Sequence, residues 1–217
     1  MAYNIDLGGT DVVVNTISTG YTAPGQVGNT TVTNMVDAEQ FVIATADSTT
    51  YNNTGLDTAS AAAVFTSTMG ASANGSITLQ AGKTYFFEAC YNLTNTGTTS
   101  HTWATTFGGT ATFSTGTQYQ AFGATGTAAN TPAAGGLSGF STSMTANVVV
   151  TAASTSATEQ VSVELVGTII VNAGGTLIPQ MKASARPGAT GTPGVVVKAG
   201  SFFRIWPATS NLVGNWS

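Results

Sequence analysis

An all-β fold is what this sequence predicts, and three observations predict it. Only 6% of the 217 residues are charged, against about a quarter in an ordinary globular domain, so the heptads of coiled coils and helical bundles have no material. In their place stand 40 Thr and 26 Gly with abundant Val and Ser, residues that suit strands and turns. Short apolar runs also recur between Gly, Asn, Pro and Ser at the spacing of a sandwich or barrel. With 42% apolar residues and a net charge of −4, the chain can bury a core and escapes charge-driven disorder.

Taken in order, residues 1–30 hold one apolar run, Val12-Val13-Val14, between Gly8-Gly9 and Gly20. They read as an arm or added edge strand with too little apolar area to order alone, so ordering is expected on docking. Strand-like runs follow at 31–36, 40–46, 76–80, 84–93, 102–107, 110–114, 118–122, 143–151, 159–172, 176–184, 195–198 and 201–206. The Ala cluster within 58–68 is the best helix candidate, and at most one short helix is expected there. Residues 123–142, rich in Gly and Ala with no strand pattern, read as a long loop. In the run 159–172, Val161, Val163 and Leu165 share a face with Ile169 and Val171, and Gly167 is expected to bend or bulge the strand between them. Residues 186–194 imitate three collagen triplets, far too few for a triple helix, and read as a hairpin tip.

Two segments echo each other. Ala81-Gly82-Lys83-Thr84-Tyr85-Phe86-Phe87 and Ala199-Gly200-Ser201-Phe202-Phe203 are each a tight turn opening an aromatic strand. Alternation puts Phe86, Glu88 and Cys90 on one face of the first strand and Tyr85, Phe87, Ala89 and Tyr91 on the other. In the second, Phe202, Arg204 and Trp206 oppose Phe203 and Ile205. Aromatic residues on both faces mean that Tyr85, Phe86, Phe87, Phe202, Phe203 and Trp206 serve either the core or a contact with a second subunit. Glu88, a mid-strand carboxylate, needs a partner if buried, and Arg204 lies at the same depth in the echoing strand. If the two strands pair, a Glu88–Arg204 ion pair follows.

The chemistry-bearing motifs fail one by one. Gly82-Lys83-Thr84 has Ile77 where a phosphate-binding loop needs its first Gly, and it leads into a strand instead of a helix. Gly136-Leu137-Ser138-Gly139-Phe140 has its second Gly one place early for a nucleophile elbow. His101, the single histidine, follows a turn and reads as a solvated hairpin-tip residue. One His, one Cys and scattered carboxylates give no metal pattern, so no catalytic residue, cofactor or metal is expected. Cys90 is alone and excludes an intrachain disulfide. Five Lys and Arg against nine Asp and Glu exclude nucleic acid as a partner, and no apolar run is long enough for a bilayer. Six acidic residues and no basic one fall in 1–82, so the N-terminal segment is the candidate docking region for a basic or polar surface. Trp216, near the C-terminus beyond Pro207, reads as an apolar anchor. Trp103 and the tyrosines could instead face sugars, whose apolar ring faces stack on aromatics.

Four segments together resemble a known family: residues 81–88 (AGKTYFFE), 107–112 (FGGTAT), 166–177 (VGTIIVNAGGTL) and 199–204 (AGSFFR). They are similar to the β-jelly-roll domain recurring in tailed-bacteriophage virion proteins, a fold akin to the trimeric tumour-necrosis-factor-like jelly roll. The resemblance covers residues 76–206 and rests on turn and core signatures, with no catalytic residues to carry over. It implies an antiparallel jelly-roll sandwich at 76–217 with a C-terminal tail, preceded by an N-terminal arm and additional strands at 1–75. It further implies a non-enzymatic virion protein that forms a homotrimer and binds the major capsid protein or another virion protein. An arm and a compact body from Met1, without adaptor or shaft, favour a head decoration or cement protein. The alternatives are a tail-fibre or receptor-binding protein and a carbohydrate-binding module using Trp103.

Overall fold

The computed structural model describes residues 3–6, 11–14, 40–48, 60–65, 75–128, 131–133, 135–188 and 194–208. The chain divides into two compact units, Met1–Ala38 and Glu39–Ser217. In the first, β1 (Tyr3–Asp6) pairs antiparallel with β2 (Asp11–Val14), Tyr3 facing Val14 and Asp6 facing Asp11. Of the acidic segment 1–82, Asp37, Glu39 and Asp57 lie outside the described residues, as do the run 31–36 and Trp216, while Asp47 pairs with Lys198.

The second unit is an antiparallel β sandwich, and no α-helix occurs among the described residues. Its larger sheet runs β10 (Thr131–Ala133), β9 (Gln118–Ala128), β13 (Glu159–Ala173), β6 (Thr84–Asn95), β16 (Phe202–Pro207), β3 (Gln40–Ile43). Three short strands adjoin it: β8 (Thr112–Phe113) on β13, β11 (Ser138–Ser141) on β9 and β15 (Val195–Val197) on β6. The smaller sheet runs β12 (Val148–Val149), β7 (Trp103–Gly109), β14 (Gly175–Ala183), β4 (Ala62–Ala63), with β5 (Ile77–Leu79) also on β14.

Alternation explains how the sheets face each other. Tyr85, Phe87, Ala89, Tyr91 and Leu93 of β6 are buried, as are Val161, Val163, Leu165, Ile169 and Val171 of β13. They meet Trp103 and Phe107 of β7 and Leu177 and Met181 of β14 in one core. Phe87 sits at its centre, stacked on Phe203 at 5.4 Å and edge-on to Phe107 at 5.5 Å. The two echoing turns place Gly82 at φ 72° and Gly200 at φ 86°, left-handed values that a side chain resists. An added Cβ would meet nothing within 4 Å at either glycine, so conformation alone sets the requirement.

Several expectations are corrected here. The 123–142 region is no loop: β9 runs through it to Ala128 and β11 follows, with Ser138 opposite Phe122. Small residues hide the strand because backbones approach too closely for side chains; a Cβ on Gly123 would lie 1.9 Å from the Val150 carbonyl oxygen. The Ala cluster is likewise extended, Ala62 and Ala63 pairing with Met181 and Gln180. Burial of the adjoining Val64 and Phe65 overrides the helix propensity of alanine. Gly167 makes no bulge, since the register stays continuous against both β6 and β9. Its missing side chain instead admits the Phe87 ring and Tyr119, either of which would lie within 2.6 Å of a Cβ there. The sandwich also takes in strands ahead of residue 76: its compact unit begins at Glu39, because β3 and β4 are hydrogen-bonded into the two sheets.

Candidate functional site

Two features of the sandwich stand apart from ordinary packing, the outer face of the larger sheet and a polar cluster buried at one pole.

Cross-strand register builds the outer face row by row. One row runs Phe41, Arg204, Glu88, Val166, Gln120, Phe140; the next runs Ile43, Phe202, Cys90, Glu164, Phe122. Residues directly opposite share a face, so these side chains all point away from the core. Of the sequence-selected aromatics, Tyr85, Phe87 and Phe203 turn inward and are buried, while Phe86, Phe202 and Trp206 turn outward. Strand parity thus separates the core aromatics from those on the outer face. Phe140 is 57% exposed, Phe41 52%, Val166 51%, Phe122 45% and Phe86 43%, a run of large apolar groups in water. A shallow groove of about 260 Å³ crosses this face, with Phe86, Gln120, Phe140, Val166 and Trp206 among its walls.

Arg204 lies directly across from Glu88, with Nη2 donating to Oε1 at 2.8 Å. Its guanidinium also sits 4.9 Å from the centre of the Trp206 ring, and Trp206 in turn lies 6.3 Å from Phe86. Both members of the ion pair remain about 40% exposed, which keeps water around the charges. Replacing Glu88 by Gln is therefore expected to lower stability by less than about 1 kcal/mol, read from the urea-unfolding midpoint. The pair orders the Arg204 side chain over the aromatic face, and Glu164 lies diagonally from Glu88 in the next row of the same face.

The second feature corrects the sequence reading of His101. The residue is 1% exposed and bridges to Ser154 through a pair of backbone hydrogen bonds at 3.1 and 2.8 Å. Its Nε2 lies 2.9 Å from Glu159 Oε2, and its Nδ1 lies 2.7 Å from the Thr99 carbonyl oxygen. Trp103 Nε1 and Asn95 Nδ2 donate to the same carboxylate oxygen at 3.1 and 3.3 Å. Trp103 is wholly buried in this arrangement, so its ring offers no stacking face to a sugar. Its indole N–H explains the burial, since a buried Trp needs an acceptor and Glu159 supplies one.

Burial alone would lower the His101 pKa, but the hydrogen bonds to Glu159 and Thr99 and the carboxylate charge outweigh it and raise the pKa above 6.5. Burial would likewise raise that of Glu159, while hydrogen bonds from His101 and Trp103, the imidazolium charge and the Ser154 hydroxyl hold it below 4.5. Both shifts favour the imidazolium–carboxylate form, in which each ring N–H has an acceptor, Thr99 O for Nδ1 and Glu159 Oε2 for Nε2. In that form the imidazole has no free nitrogen to accept a further proton. No local pattern announces it: Glu159 lies 58 residues from His101, and only the β13–β6 register brings Glu159 opposite Asn95.

Among the described residues no three His, Cys, Asp or Glu side chains gather as metal ligands. Cys90 is a free, half-buried cysteine on the outer face, its Sγ 3.8 Å from Ser162 Oγ. No protein-family model, curated protein or solved structure matches this chain.

Proposed function

We propose that this chain is a non-enzymatic structural protein of a bacteriophage virion, a homotrimer that decorates and cements the head. The exposed aromatic face of the larger sheet carries the reading. Six large apolar side chains there are roughly half exposed, and at about 150–250 Å² for each aromatic they leave on the order of 500 Å² of apolar surface. That is near the largest patch an ordinary monomer tolerates and a large part of the ~800 Å² each partner buries in a standard interface. A second copy is the occupant that fits, because the patch is flat and low in net charge. Glu88 and Arg204 already neutralise each other within it. The strand order β3–β16–β6–β13 opposite β5–β14–β7 supports a jelly-roll reading of the sandwich.

The mechanism is multivalent. Three copies held together present three identical contacts to the shell, and each later contact forms at the effective concentration set by the first. A ligand that binds only assembled heads stabilises them by mass action. Sedimentation of the purified chain is expected to give a trimer, and the double substitution Phe140→Lys with Val166→Lys is expected to give folded monomers. A monomeric wild-type chain at tens of micromolar would sink the subunit-contact reading. Mixed with undecorated heads, the trimer is expected to remain bound and raise their resistance to heat. A trimer that ignores heads and adsorbs to host cells would replace decoration with the receptor-binding role.

A further inference from the structure

We propose that the buried His101–Glu159 pair is a pH-operated clamp, holding the loops at one pole of the sandwich closed over the cleft beside Glu159 and releasing them in alkaline solution.

Three stretches of chain meet at this pole. Residues 95–101 leave β6, residues 151–159 lead into β13, and residues 184–188 leave β14. Backbone bonds join them: His101 with Ser154, and the Thr99 N–H with the Pro187 carbonyl at 2.9 Å. The first and third stretches touch so closely that a Cβ on Gly97 would fall 2.1 Å from the Pro187 oxygen. The imidazole is the hub of the assembly. Through Nδ1 it fixes its own loop at Thr99, and through Nε2 it fixes the start of β13 at Glu159. Asn95 completes the junction, its Oδ1 accepting from the Gly97 N–H at 2.8 Å.

The proton count makes this hub titratable. A backbone carbonyl only accepts, so Nδ1 carries a proton; an ionised carboxylate only accepts, so Nε2 carries one too. Removing the Nε2 proton sets two lone pairs facing each other at the 2.9 Å contact, and the Asn95 Nδ2 group, 3.3 Å from both Nε2 and Glu159 Oε2, is left to serve both acceptors. Glu159 then keeps the Trp103 and Asn95 donors and the nearby Ser154 hydroxyl for a charge that is 2% exposed. Its other oxygen, Oε1, has no hydrogen bond of good geometry even in the closed state. A buried carboxylate so deprived seeks water, and water is next door in a cleft of about 200 Å³ lined by Thr125, Thr127, Ser154, Ser156 and Glu159. Movement of the 151–158 loop is the route by which it enters.

The charged groups around the hub are few. Glu159 comes from β13; Asn95 from β6 and Trp103 from β7 are neutral; Arg186 lies on the 184–188 stretch, and neither pKa moves on its account. The histidine value is raised, so the clamp is whole below pH 6.5 and is lost as pH climbs through the higher folded value. On the acid side the Glu159 value is lowered, so the clamp persists below pH 4.5 until that carboxylate protonates.

Because the chain has a single histidine, its imidazole proton signal reads the hub without ambiguity. The experiment follows that signal by NMR from pH 5 to 9, together with hydrogen exchange at the Thr99, His101 and Ser154 amides, corrected for the intrinsic pH dependence of exchange. The imidazole is expected to titrate above 6.5. The three amides are expected to lose protection at least tenfold at the same midpoint, while Ala89 and Leu165 in mid-sheet stay protected. In His101→Gln, whose amide keeps a neutral donor near Glu159, protection at the pole is expected to be independent of pH. An imidazole that titrates at or below 6.5, or pole amides unchanged across its titration, overturns the proposal. Wild-type protein alone decides the matter if the variant does not fold.

Discussion

Truncating Phe87 to Ala is expected to cost about 3–5 kcal/mol of folding stability, the upper range for an aromatic deletion. The ring is fully buried and touches the core from both sheets: Phe203 stacks on it, while Phe107 and Tyr119 meet it at 5.5 and 6.2 Å. It also lies directly across the β6–β13 ladder from Gly167, which has no side chain of its own to fill the space left. Relaxation is therefore small and the cavity stays open, which is the condition for a large loss. Urea unfolding followed by far-ultraviolet circular dichroism measures it. Glu164→Gln on the exposed face of β13 is the comparison, expected to stay within about 0.5 kcal/mol of the wild type. A loss below about 1 kcal/mol for Phe87→Ala would mean that the ring is not the centre of the core.

Replacing His101 by Ala is expected to cost about 3–5 kcal/mol at pH 6, because it strands the Glu159 carboxylate in the interior. The sign of the pH dependence follows from both partners. A raised histidine pKa contributes stability that is complete below 6.5 and disappears as pH rises through the folded value. A lowered glutamate pKa contributes stability that is complete above 4.5 and disappears as pH falls through the folded value. The difference between wild type and variant is therefore widest between pH 4.5 and 6.5 and narrows on both sides. Unfolding midpoints at pH 4, 6 and 9 measure this; a difference that grows toward pH 9 contradicts the assignment of an imidazolium.

How much of this was legible in the residues depends on what each one requires of its neighbours. The strand at 84–95 declares its parity, because large apolar groups alternate with Glu88, Asn92 and Thr94. Arg204 could be set opposite Glu88 because an ion pair needs only matched depth in two strands that resemble each other. The continuation of β9 over 123–128 was hidden for the opposite reason: where backbones must touch, the sequence offers Gly and Ala, which carry no alternation to read. The His101 cluster was hidden more deeply. Its four members come from β6, the loop before β7, β7 and β13, and no local pattern links them until the register exists. Gly167 shows the same limit, since a gap filled by a ring from the next strand looks in sequence like a place to bend.

The position of β16 between β6 and β3 sets an order of events during synthesis. Phe202–Pro207 is the strand that joins Gln40–Ile43 to the sheet, and it also covers the edge of β6 from Tyr85 to Cys90. Both partners leave the ribosome more than a hundred residues earlier. At about 5–20 residues per second the nascent chain carries that uncovered edge for roughly 5–20 s. Because the closing contacts are the most distant in sequence, their loop entropy is met late, and the sheet closes only once residues 202–207 have emerged. The larger sheet is therefore completed late in synthesis, and the yield in a cell should depend on what shields the open edge of β6 during that wait.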